Sequence, residues 1–167
     1  MQKSTLVEAQ ETAGFFEPDQ RACLGGLFNH MFFFSTLGGE GTGGEPEGKL
    51  KEEIEKNFTD FSGFKEAFKK SVQSRFLPGW IWLGITDGGK LIITQTNNED
   101  NPLMMGVVDV KCTPIVCLDL WEHAYWEEHD GSTDGSYIEA FWQTVNWAKI
   151  SKNYDEFNTG NKVAPII

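Results

Sequence analysis

Positive charge, cysteine and long apolar runs are all in short supply in this sequence, and each shortage excludes something. Against 25 Asp and Glu stand 14 Lys and Arg, a formal net charge of -11. A surface this acidic argues against nucleic acid or an anionic membrane as a direct partner. It also argues against electrostatic capture of a small anion, unless a local basic patch overrides the overall field. The three cysteines, Cys23, Cys112 and Cys117, cannot all pair internally. They sit in apolar surroundings, which fits reduced thiols in a reducing compartment. No apolar run reaches the length of a membrane span, and residues 31–37 are far too short. Residues 1–15 carry one lysine and no arginine, unlike a transit peptide. What remains is globular composition, 40% hydrophobic and 13% aromatic over 167 residues. That suffices for one domain with a real core, with or without a helical appendage.

Pro18, flanked by Glu17 and Asp19, suits the first turn of a helix running to about Leu37. The Gly25-Gly26 pair inside it predicts close approach of another element, because glycine weakens a helix interior by about 1 kcal/mol each. His30 follows on the same apolar helix and is expected to be buried with a hydrogen-bond partner or a metal. Residues 38–48 (GGEGTGGEPEG) read as a flexible connection. A short helix over residues 47–57 turns Leu50 and Ile54 inward. Asp60 caps the next, whose Phe61, Phe64, Phe68, Val72 and Phe76 form a core stripe up to Pro78-Gly79. The period then changes to that of strands, with a hairpin over residues 80–86 and 90–96 around Asp87-Gly88-Gly89 and a third strand at residues 113–118. Helices at residues 136–145 and up to Phe157 follow a loop at residues 129–135, and residues 158–167 read as a tail. The order of helices, small antiparallel sheet and helices is α+β.

The chain is organised around Asp119-Leu120-Trp121-Glu122-His123-Ala124-Tyr125, directly after the strand. If a helix starts at the aspartate, Asp119 and His123 leave it on one face, one turn apart. Together with His30 they make two imidazoles and one carboxylate, a donor set that suits iron or manganese better than structural zinc. Taken singly, Asp119 also reads as a helix cap and His30 as a satisfied core histidine.

The segments DLWEHAYW and EAFWQTVNW (residues 139–147), with GGLFNHMFFF, SRFLPGWIWL and NNEDNPLM, strongly resemble the iron/manganese superoxide dismutases from about Arg21 to Phe157. The resemblance implies a non-family segment at residues 1–16 and a remnant of an N-terminal helical hairpin at 17–37. The Gly-rich connection (38–48) then leads to a C-terminal domain (49–157) with a three-stranded antiparallel sheet flanked by helices. It implies one iron or manganese ion, with His30, Asp119 and His123 as three of four protein ligands. Phe34, Trp80, Trp82 and Trp121 match the aromatic wall, which sets dielectric and access. Trp121, Tyr125 and Glu99 are expected at the reacting centre, Glu99 standing where the manganese type has a glutamine that bonds metal-bound solvent. Gly26 matches the manganese-type glycine opposite. Glu122 matches a residue that reaches across a two-fold interface, beside Trp126, where the family has a second tyrosine. No histidine precedes His30, so the family's first ligand and its gateway tyrosine have no counterpart, and the loop at residues 130–136 lacks the arginines that draw superoxide in.

Two function classes follow. In the enzyme reading the chain dismutates superoxide to dioxygen and hydrogen peroxide, with a fourth ligand from a superoxide dismutase-like partner, from a further segment, or from Glu99. In the interaction reading it is a non-catalytic structural subunit of a large organellar assembly in a mitochondrion or plastid, such as a mitochondrial ribosome or a bioenergetic membrane complex. A partner would then cover the apolar groove left by the missing helix. A two-histidine, one-carboxylate oxygenase shares the ligand types but not the DLWEHAYW context.

Overall fold

The computed structural model describes residues 5–39, 42–129, 131, 133 and 135–158. Residues 159–167 of the expected tail and parts of both loops lie outside that set. A capping box, in which Glu8 N–H donates to Thr5 Oγ1 and Thr5 N–H to Glu8 Oε2, starts α1 (Leu6–Glu11). After a 3-10 turn at Ala13–Phe15 comes α2 (Pro18–Thr36), the long glycine-bearing helix. Then follow α3 (Gly48–Phe58) and α4 (Phe61–Gln73), the latter capped by Asp60 Oδ1, which accepts the Gly63 N–H at 2.6 Å. Strands β1 (Gly79–Ile85), β2 (Leu91–Asn97) and β3 (Thr113–Asp119) form one antiparallel sheet in the order β2-β1-β3. Helices α5 (Ser136–Thr144) and α6 (Trp147–Asn158) follow. No described helix is long and apolar enough to cross a membrane.

The central strand β1 is buried along its whole length because both of its faces are covered. Its side chains alternate between two cores, as the two-residue period requires. Ile81, Leu83 and Ile85 enter the larger core with Leu50, Ile54, Phe64, Phe68 and residues of α5 and α6. Trp80 and Trp82 enter a smaller core with Phe28 and Phe32 of α2, Leu103 and Cys117. That second layer positions the site, since it fixes α2 over the ends of β1 and β3.

Several expectations need correction. Helix α4 stops at Gln73, before Pro78-Gly79, so Phe76 leaves the stripe and is 94% exposed. Arg75 holds the chain in its new course, donating to Pro78 O at 2.7 Å and to Asn97 Oδ1 at 3.1 Å. Cys112 and Cys117 are buried but Cys23 is exposed on α2. The segment after Asp119 is no α-helix: β3 runs through the aspartate, and only a 3-10 turn at Glu122–Ala124 follows.

Candidate metal centre

Each donor comes from a different kind of support. Asp119 is the last residue of β3 and pairs in register with Trp80 of β1. Its backbone carbonyl accepts the Tyr137 hydroxyl at 2.8 Å, and its Oδ1 accepts the Trp121 N–H at 2.8 Å. The second bond turns the chain at once, and the tight 3-10 turn brings His123 back over the aspartate. His123 Nε2 lies 3.1 Å from Asp119 Oδ2, so the predicted pair meets through a turn instead of a helix face.

His30 arrives from α2. Its Nδ1 stands 2.8 Å from the Gly26 carbonyl oxygen, which fixes a hydrogen on Nδ1 and leaves the Nε2 lone pair facing Asp119 Oδ2 at 3.6 Å. A ligand imidazole anchored by its second nitrogen to a carbonyl is the arrangement metal sites use to set tautomer and ring angle. The two imidazole rings lie 5.7 Å apart and 25° from parallel. Ligand atoms of His30, Asp119 and His123 all fall within 4.8 Å of one another, so one ion can touch all three.

The cluster is closed below and open above. Asp119 is 2% exposed, whereas the His30 and His123 side chains are 34% and 59% exposed. His30 was expected to be buried; it sits at the rim, its side chain 34% exposed, while Phe32 and Phe33 just after it on α2 pack on Trp82 and Trp80. Burial pushes the Asp119 carboxyl above the usual carboxylate range. The Trp121 N–H and the two imidazoles pull it back, while the Glu99 charge pushes it further up. A carboxylate this desolvated calls for a positive partner.

The expected surroundings divide. Trp80 packs edge-on against His30 at 5.1 Å, Trp82 lies 5.9 Å from Trp80, and Trp121 lies 6.3 Å from His123. These three form a wall under and beside the donors. Phe34 does not close it: the ring is 65% exposed and leans on Phe33 at 5.4 Å, on the outward side of α2 with Leu27 and Met31. Tyr125 stands apart, two residues past His123 in a turn of about three residues, and so points another way. Its ring packs on Tyr137 at 5.8 Å and borders a cavity of about 100 Å³ with Arg75, Leu77 and Glu122. Glu122 is exposed and Trp126 is 60% exposed.

Glu99 lies beside the donors without joining them. Its Oε2 accepts from Trp80 Nε1 at 3.2 Å and from Asn29 Nδ2 at 3.3 Å. The glycine pair on α2 makes room for it. A side chain at Gly25 would collide with the Glu99 carbonyl oxygen, and one at Gly26 would reach the Glu99 carboxylate carbon at 3.4 Å. Asn29, fully buried, was missed. It stitches α2 to this loop through Glu99 O at 3.0 Å and Asp100 O at 3.5 Å. An amide beside a histidine on an apolar helix was the available signal, because a buried polar group demands partners.

Fold and site together define an α+β domain whose β3 end and long helix present two imidazoles and a carboxylate to one point. The description "Iron/manganese superoxide dismutases, C-terminal domain" matches residues 46–153. A "Superoxide dismutase [Mn]" of Acinetobacter baylyi is 38% identical over 156 residues, 93% of this chain and 68% of that protein. A "Superoxide dismutase [Mn/Fe]" of Methylomonas sp. is 42% identical over 132 residues, 79% of this chain and 62% of that protein. A "Superoxide dismutase [Mn]" of Listeria monocytogenes is 44% identical over 131 residues, 78% and 61% of the respective lengths. This chain belongs to the iron/manganese superoxide dismutases. It spans about two thirds of the length of these relatives.

Proposed function

We propose that the chain holds one iron or manganese ion with His30, Asp119 and His123 and takes part in the dismutation of superoxide, two superoxide anions and two protons giving one dioxygen and one hydrogen peroxide. The observation that carries this reading is the convergence of the three donor atoms within 4.8 Å, with His30 Nδ1 anchored on the Gly26 carbonyl. The donor chemistry fits: nitrogen and carboxylate oxygen in a half-closed, partly apolar setting suit either metal. When bound, the ion supplies a one-electron couple that takes an electron from one superoxide and gives it to another.

The protein's own contribution is positional and electrostatic. Asp119 brings a negative charge held in place by the Trp121 N–H, so it meets a cation without reorganising. Trp80, Trp82 and Trp121 keep bulk water from the buried side and lower the local dielectric. The open side, bounded by His30 and His123, is the path for a small anion. A further ligand and the gateway tyrosine of the family come from another segment or from a superoxide dismutase-like partner chain, with Glu122 and Trp126 at the pairing surface.

Loading the purified chain with manganese or iron and measuring superoxide-dependent cytochrome c reduction tests this. Inhibition above that of the free ions, lost in Asp119→Asn, is expected. The exposed stripe of Leu27, Met31 and Phe34 on α2 favours a partner over that helix in either function class. Metal bound without turnover, alone or with such a partner, would replace the enzyme by the structural-subunit reading.

A further inference from the structure

Two carboxylates, Asp119 and Glu99, approach the same corner of the molecule from different elements, and the charge around them is unbalanced. Next to Glu99, Asp100 is neutralised by Arg21, whose Nε lies 3.0 Å from Oδ1. Glu99 has no such partner: among the described residues, no lysine, arginine or histidine nitrogen stands within 4 Å of its carboxylate. Its acceptor capacity goes to two neutral donors, Trp80 Nε1 and Asn29 Nδ2. Both donors belong to the site's own supports, since the Trp80 ring packs on His30 and Asn29 is its chain neighbour. The glycine pair leaves α2 bare where this carboxylate lies, and a Cβ at Gly25 would drive the loop away.

No cation among the described residues offsets the Glu99 carboxylate. The two imidazoles, when they offer lone pairs, add no positive charge beside the carboxyl groups of Asp119 and Glu99. A divalent or trivalent cation on the three donors removes that imbalance. We propose that Glu99 is the charge-balancing carboxylate of the metal centre, a positioning residue that raises affinity for the cation through its charge while leaving coordination to His30, Asp119 and His123. This rests on the metal-site reading above.

The variant Glu99→Gln keeps an oxygen acceptor for Trp80 Nε1 and Asn29 Nδ2 and removes only the charge. Metal-free full-length chain is titrated with Co2+, read by calorimetry and by the visible absorption of the bound ion. Asp109→Asn, on an exposed loop position, serves as the control for loss of one negative charge elsewhere. Glu99→Gln is expected to bind Co2+ about tenfold or more weakly than wild type, with an unchanged spectrum, while Asp109→Asn matches wild type; a tenfold change corresponds to about 1.4 kcal/mol. Equal affinity of Glu99→Gln and wild type overturns the assignment and leaves the metal site standing. A changed spectrum overturns it by making Glu99 a direct ligand. Absence of Co2+ binding by wild type, or binding that survives Asp119→Ala, sinks the metal-site reading itself and the inference with it. Thermal unfolding of Glu99→Gln at the wild-type temperature separates charge loss from misfolding. A fall of the unfolding temperature in step with the loss of affinity makes the role structural and overturns the proposal.

Discussion

Replacing Gly25 with alanine tests how the long helix is seated on the site. The new methyl group would stand well inside contact distance of the Glu99 carbonyl oxygen, and 2.9 Å from both the Glu99 carbonyl carbon and Met104 Cε. Backbone cannot yield as a side-chain tip can, so α2 and the loop at residues 97–101 must part. Such overpacking costs about 1–3 kcal/mol. Parting also strains the Asn29 bond to Glu99 O, a further loss of about 1 kcal/mol. Alanine returns about 1 kcal/mol through its better helix propensity. The net expectation is a loss of about 2 kcal/mol, or a fall in Tm of about 4–8 °C for a chain of this size. Gly26→Ala is the internal comparison. Its methyl group meets Glu99 Cδ and Cγ at 3.4 and 3.5 Å, ordinary contact, so only the propensity gain remains. Thermal unfolding of the metal-free variants by circular dichroism decides the matter. Gly25→Ala as stable as wild type, or Gly26→Ala as damaging as Gly25→Ala, would refute the seating of α2 described above.

The core stripe of α4 makes two opposite predictions. Phe68→Ala should lower stability by about 3–5 kcal/mol in urea unfolding, and Phe76→Ala by no more than about 0.5 kcal/mol; equal effects would contradict the end of α4 at Gln73. Among the thiols, burial pushes Cys112 up to about 12 and Cys117 also upward, while Cys23 lies exposed. A disulfide reagent at pH 8 should therefore titrate one thiol quickly in the folded chain and three in denaturant, and fast reaction of a second would count against the buried positions. For the metal-free protein, Asp119 holds its proton more tightly folded than unfolded, where a carboxyl titrates near 4. Its contribution to stability is thus fully present below about pH 4 and is lost as pH rises through the raised folded value. Unfolding free energies from pH 4 to 7 should fall less steeply in Asp119→Asn than in wild type, and parallel slopes would argue against that burial.

Much of this arrangement could be read from residue order because the signals were local. The β-rich composition of residues 80–86 announced a strand; that both its faces are covered, the two cores taking its side chains in turn, came only with the structure. Gly25-Gly26 announced a close neighbour, and the loop carrying Glu99 supplies it. The grouping of His30, Asp119 and His123 followed from the donor types together with the resemblance. What could not be read were the consequences of tertiary contacts. Phe76 keeps the four-residue spacing of the stripe, yet Arg75 has already turned the chain away. Gln10 and Asn101 are a buried pair at 2.8 Å across 91 positions, which no periodicity shows. The spacing of Asp119 and His123 suggested a helix, but the Asp119 side chain captures the Trp121 N–H and makes a turn instead. Phe34 was assigned to a wall from its place in a motif, and its exposure reflects which side of α2 it occupies.

Diffraction from crystals of the metal-loaded chain, with anomalous data on either side of the manganese and iron absorption edges, tests the central claim most directly. One anomalous peak within coordination distance of His30 Nε2, Asp119 Oδ2 and His123 Nε2 is the predicted result. No peak there after loading, or a peak elsewhere on the molecule, would contradict it.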